Sequence, residues 1–139
     1  QWKRHDFEAR LAGSPDALAA LLQPLSEAGV DVFHASTRRF WEPAFPEHGP
    51  LCLAGWTRRL TGKPVIAVGS IGLDDVSRQR AGVADLAPLH ERLAAGEFDM
   101  AALGRQLLAD PDWANKVAAG RLADIVPFER KHIDWRDSP

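Results

Sequence analysis

Three times along this 139-residue chain a helix-forming stretch is stopped by glycine and followed by a short β-rich stretch, and this alternation constrains the fold most. In the first repeat, Ser14-Pro15-Asp16 combine a capping hydroxyl, a first-turn proline and an early acid ahead of ALAALLQPLSEA, with Gly29 as the stop and Pro24 as a bend. Val30 to Ser36, VDVFHAS, follows with little polar alternation, the pattern of a strand covered on both faces. In the second, a helix over Leu53 to Leu60 is stopped by Thr61-Gly62-Lys63-Pro64, and PVIAVGS runs into Gly69-Ser70. In the third, Asp85 to Ala95 reads as a helix ended by Gly96, and a strand over Met100 to Leu103 runs into Gly104-Arg105. Asp110-Pro111-Asp112 then opens a last helix, WANKVAA, up to Gly120. Helix and strand in strict alternation imply a parallel α/β architecture. Arg38 to Pro50 reads as a long loop, rich in proline and carrying Phe40, Trp41 and Phe45. The tail Arg121 to Pro139, with Phe128 and Trp135, receives no assignment.

Composition narrows the function classes. At 45% hydrophobic and 26% charged residues, the chain can bury a core of ordinary domain size. A net charge of −2 and a pI near 6.2 provide no broad cationic field, so neither nucleic acid nor an anionic membrane is an expected partner. With one cysteine, Cys52, there can be no intrachain disulfide and no CxxC metal site, which fits a reducing, cytoplasmic setting. No apolar run approaches the roughly 20 residues that cross a bilayer, and the QWKRHDFEAR start lacks a signal-peptide core. The chain opens with Gln, and its only methionine is Met100, as expected of a cut or processed start.

In parallel α/β folds the loops after the carboxyl ends of strands hold ligands, and in barrels a phosphate commonly sits after the last two strands. Gly69-Ser70 and Gly104-Arg105 occupy two such places. Glycine bares its backbone N–H, and Arg105 adds a permanent cation with a bidentate fork suited to phosphate. Either pair alone is more simply read as a strand terminator, with Arg105 pairing to a carboxylate such as Asp110. Two pairs at equivalent positions favour a phosphate grip. The loop residues Arg38, Arg39, Phe40 and Trp41 are substrate-loop candidates, since a loop after a strand's carboxyl end overlooks the site. Packing of its aromatics against the chain's own core competes evenly with that reading. His34, inside a strand, reads as a hydrogen-bonded core residue, and no residue is assigned a catalytic or metal-binding role.

The runs HASTRRFWEPAF (34–45), LAGWTRRLTGKPVIAVGSIGL (53–73) and RLAAGEFDMAALGRQLLADPDWANKVAAGR (92–121) resemble the C-terminal part of the Old Yellow Enzyme family. Gln1-Trp2-Lys3 resembles the family run that follows the fifth strand. The resemblance implies an incomplete (β/α)8 barrel in which residues 1–139 supply the sixth to eighth strands and their helices. A whole barrel takes roughly 250 residues. It further implies FMN, its phosphate held by Gly69, Ser70, Gly104 and Arg105, with NAD(P)H as reductant and an activated alkene as substrate. The substrate-binding His-Asn or His-His pair, the tyrosine proton donor and the flavin-ring contacts of the family would belong to a missing N-terminal half-barrel, on the same gene or a separate chain. Consistently, this chain holds no tyrosine. Two alternatives stand beside this: a noncatalytic half-barrel module that pairs with another chain or with itself, and another barrel enzyme that binds a sugar phosphate.

Overall fold

Serine 14 caps the first helix as its sequence demands: its Oγ accepts the Ala17 N–H at 3.2 Å, and Gly29 ends the turn beyond the helix at φ 102°. The computed structural model describes residues 2, 6, 8–74 and 80–133, so Gln1, Lys3 and Trp135 lie outside the described residues. In chain order the elements are α1 (Pro15–Glu27), β1 (Phe33–Ser36), α2 (Leu53–Thr61), β2 (Val65–Val68), β3 (Arg80–Ala81), α3 (Ala87–Ala94), β4 (Met100–Ala101), α4 (Arg105–Ala109), α5 (Trp113–Ala118) and β5 (Phe128–Glu129). They form two compact units, Gln1–Gly69 with Ala87–Ala102, and Ser70–Leu86 with Leu103–Pro139.

The first unit is a three-stranded parallel sheet in the order β1-β2-β4. Phe33 stands opposite Val65, His34 opposite Ile66, and Ile66 opposite Met100. Since side chains alternate across a strand, Phe33, Ala35, Val65 and Ala67 all point to one face, where they are buried and where α2 packs on β1 and β2 and α1 packs on α2. The opposite face carries the row His34, Ile66 and Met100. Here the sequence reading needs correction, because β1 is not covered on both faces: His34 is exposed and Met100 is 46% exposed. Phe33 and Ala35 are buried while Val32 before them and His34 between them are exposed, so the run VFHA is buried on one side only. Cys52 caps α2, its sulfur accepting the Gly55 N–H at 3.4 Å, and Gly62 closes that helix in the left-handed region at φ 66°.

In the second unit two-residue strands β3 and β5 pair antiparallel, Ala81 opposite Phe128. Leu73, Ala81 and Phe128 form one core cluster, with Ala109 and Ile133 packed against them, and Ile71, Leu86, Trp113 and Ile125 of the same unit are also buried. Neither strand is foreseen in the sequence, since two residues leave no period to read. The expected strand Met100 to Leu103 stops at Ala101, and Arg105 opens a short helix that the sequence reading lacks.

Candidate functional site

The loop that follows β1 crosses the end of β2. Thr37 N–H donates to the Val68 carbonyl and Phe40 N–H to the Gly69 carbonyl, both at 3.0 Å. A Cβ at Gly69 would stand 2.8 Å from the Phe40 nitrogen and 2.9 Å from the Thr37 oxygen, both main-chain atoms. Gly69 is therefore fixed by a close backbone crossing. Beyond it Phe40 is buried, edge-on to Trp41 at 5.4 Å and to Phe98 at 6.3 Å. Phe45 is fully buried between Trp2 and Trp56 at 5.5 and 5.8 Å. Arg38 is half-buried, and Arg39 pairs with Glu42 at 2.9 Å. Of the four loop candidates, Phe40 thus sits in the core, while Trp41 lines a cleft of about 460 Å³ together with Pro50, Pro88 and Arg92.

That loop is tied down by residues sequence reasoning overlooked. The Arg92 guanidinium donates to both Glu97 carboxylate oxygens at 2.6 and 2.8 Å and to the Trp41 carbonyl at 2.8 Å. It also reaches the Pro50 carbonyl at 3.4 Å, and Glu97 accepts the Cys52 N–H at 3.4 Å. A separation of 51 residues between Arg92 and Trp41 leaves no local signal to read. Burial is the main force pushing the Cys52 thiol up to about 11, and the Glu97 carboxylate beside it pushes the same way. Cys52 is accordingly a neutral thiol at physiological pH and not a nucleophile.

The remaining three phosphate candidates belong to the second unit. Ser70 is the one non-glycine residue with positive φ among the described residues, at 53°. Such a conformation is uncommon for serine. Its carbonyl accepts the Leu73 N–H at 3.2 Å, closing a turn. Gly72 in that turn lies against Gln106, with 3.3 Å between its would-be Cβ and the Gln106 Cγ. The turn that begins at Ser70 and the helix that begins at Arg105 are therefore neighbours. Gly104, next to Arg105, is exposed with no atom within 4 Å of where a Cβ would stand. The Arg105 guanidinium lies over the Phe128 ring, 5.4 Å from its centre, a cation–π contact that holds the side chain's stem down.

Beneath these residues lies a polar knot. Gln106 is fully buried and donates to the Val126 carbonyl at 2.9 Å. Asp110, 3% exposed, accepts from Lys116 Nζ at 2.7 Å, the Val126 N–H at 2.9 Å and the Asp112 N–H at 3.2 Å. The Lys116 ammonium, with those N–H groups, holds the Asp110 carboxyl below its ordinary range. Asp110 thus serves Lys116 and the chain at 126, where the sequence reading offered it to Arg105. Among the described residues no group of three or more His, Cys, Asp or Glu could hold a metal ion. No helix among them is long and apolar enough to cross a membrane.

Two curated proteins are similar to this chain. Over 108 residues, 73% of the chain, it is 32% identical to an NADH oxidase of Thermoanaerobacter brockii, of which it spans 15%. Over 124 residues, 81% of the chain, it is 29% identical to a bilirubin reductase of Clostridium symbiosum (strain WAL-14163), of which it spans 30%. The chain thus covers less than a third of either relative's length. No protein-family model matches it.

Proposed function

We propose that this chain is the cofactor-phosphate end of an FMN-dependent oxidoreductase barrel that passes hydride from NAD(P)H through flavin to an activated alkene. The observation that carries the reading is the juxtaposition, within one unit, of the strained Ser70 turn with the helix opened by Arg105. A left-handed serine at the carboxyl end of a parallel strand is the kind of outlier that clusters at ligand sites. Gly104, next to Arg105 in the chain, leaves room for an approaching group, and Arg105 supplies a permanent charge. These residues fit a phosphate monoester. The names of both similar proteins denote redox enzymes, and one of them names NADH.

In that role Ser70, Gly104 and Arg105 bind and orient, and none of them moves a proton. Gly69 contributes by letting the loop at 37–40 cross the end of β2. When bound, FMN supplies the hydride relay. Trp41, with Arg38 and Arg39, is proposed to flank the substrate, and Phe40 to carry the loop through its burial. The test is Arg105→Ala in the complete barrel, which should loosen FMN by about 1.5–3 kcal/mol, as for a hydrogen bond to a charged group, and barely affect riboflavin. Equal losses for both ligands, or a complete protein without flavin absorbance, would overturn the reading.

The half-open sheet favours a companion proposal, that further barrel strands, on the same gene or a separate chain, cover the row His34, Ile66 and Met100. Parallel sheets are almost always covered on both faces. Expressed alone, the chain should self-associate and bind a hydrophobic dye. A monomer without dye binding would count against it.

A further inference from the structure

We infer that Arg92 is a positioning residue, and that the course of the loop from Trp41 to Pro50 is set from the carboxyl end of α3 by its guanidinium. One planar group meets the main chain at both ends of that loop, the Trp41 carbonyl at 2.8 Å and the Pro50 carbonyl at 3.4 Å. Glu97 holds it in place through both oxygens, and the same carboxylate takes the Cys52 N–H where the loop enters α2. Arg92 and Glu97 are 17% and 14% exposed, so the pair is shielded from competing water and salt.

Two properties of this clamp follow from its chemistry. Its loop-side partners are carbonyls, so it fixes the path of the chain whatever side chains the loop displays. Its fork is irreplaceable, because a carboxylate and two carbonyls in different directions require several donors in fixed geometry. Lysine would retain the ion pair with Glu97 but, as a point charge, could not span the rest. Across the loop, the Ala44 N–H bond to the Leu51 carbonyl at 3.0 Å provides the cross-tie that must hold while the ends stay together. Trp41, whose own carbonyl is gripped, is thereby held at its cleft. The bearing of this clamp on turnover rests on the function proposed above, but its bearing on the loop does not.

The experiment is hydrogen exchange by mass spectrometry on the whole chain, comparing wild type with Arg92→Lys and Arg92→Ala. Peptides covering 41–50 should exchange about tenfold faster in both variants, while those from α1, β1 and β2 keep their wild-type rates. Unchanged loop exchange in both variants would overturn the inference, as would wild-type exchange in Arg92→Lys, since the ion pair alone would then suffice. Acceleration spread evenly over the whole first unit would also overturn it, marking Arg92 as a general packing residue. Should Arg92→Ala not fold, Arg92→Lys with Glu97→Gln reads the same contrast. In the complete flavoprotein Arg92→Lys should lower kcat/KM for an enone about tenfold with flavin content unchanged. A complete protein without flavin sinks the proposed function and leaves the exchange result standing.

Discussion

The two units reach stability by different routes. The first is built on apolar layers: Phe33, Ala35, Val65 and Ala67 under α2, and Leu18 and Leu22 of α1 also buried. Its elements run to 13 residues and their patterns are local. The second has helices of five and six residues, strands of two, and a core cluster of Leu73, Ala81 and Phe128, with Ile71, Leu86, Trp113 and Ile125 also buried. Around that core its short elements are tied by a buried polar knot, the Asp110 carboxylate gathering Lys116 and the backbone at 112 and 126. Apolar burial is non-directional and tolerant, whereas a buried carboxylate fails as soon as one partner leaves. A unit of short elements that also leans on such a knot is therefore most vulnerable at the knot's residues.

The largest expected effect tests that contrast directly. Asp110→Ala leaves the Lys116 ammonium only the Asp124 carbonyl and strands the Val126 N–H, and should cost the second unit about 3 kcal/mol. Hydrogen exchange should rise across 103–133 and stay flat in α1 and β1. A rise of equal size in both units would mean that they do not melt separately. Acid gives the same lesson in wild type. The folded Asp110 holds its charge below the ordinary value of 3.8, so its contribution is complete above that pH and is lost as pH falls through the folded value. Protection in the second unit should therefore fade first below pH 4, and Asp110→Asn should remove that dependence.

Next in size comes an alkaline weakness confined to the first unit. Between the ordinary thiol value of 9.0 and the folded value of about 11, the native Cys52 keeps a proton that the unfolded chain releases, so stability falls as pH rises across that window. The loss should reach on the order of 2 kcal/mol, and Cys52→Ser, which keeps a cap for α2, should flatten the pH curve. A wild-type melting temperature unchanged from pH 8.5 to 11 would show the thiol is not so shielded.

The two glycines in the proposed phosphate grip sharpen the comparison further. Gly69→Ala drives a methyl into main chain at 2.8 and 2.9 Å and should cost about 1–3 kcal/mol. Gly104→Ala meets open space and should cost under about 1 kcal/mol, a cap difference only. If Gly104→Ala nevertheless abolishes flavin binding in the complete protein, its bareness serves the ligand. Similar thermal losses for both would erase the distinction.

Legibility in the sequence follows the same divide. The starts of α1 and α2, the stops at Gly29, Gly62 and Gly96, and the cores of β1 and β2 were readable because caps and β-branched runs act over a few residues. The open face of β1 was not, since the four residues Phe-His-Ala-Ser are too few to say what covers each face. Nor were β3, β5 and the Asp110 knot, where strand partners lie 47 to 49 residues apart and Val126 lies 16 from Asp110, with no period to follow. Within the candidate site, Gly69, Ser70, Gly104 and Arg105 stood out as glycine followed by a polar residue after a strand. Arg92 looked like any solvated cation on a helix face, because only the folded loop brings the Trp41 carbonyl to it.

Ser70 leaves a lesson for anyone who would evolve this chain in the laboratory. A serine held at φ 53° costs on the order of 1 kcal/mol that glycine would not. A selection for heat resistance alone should therefore drift to Ser70→Gly, and a selection for turnover should keep the hydroxyl. The two regimes would pull one codon in opposite directions, and the residue that wins in each would report what the hydroxyl is there to hold.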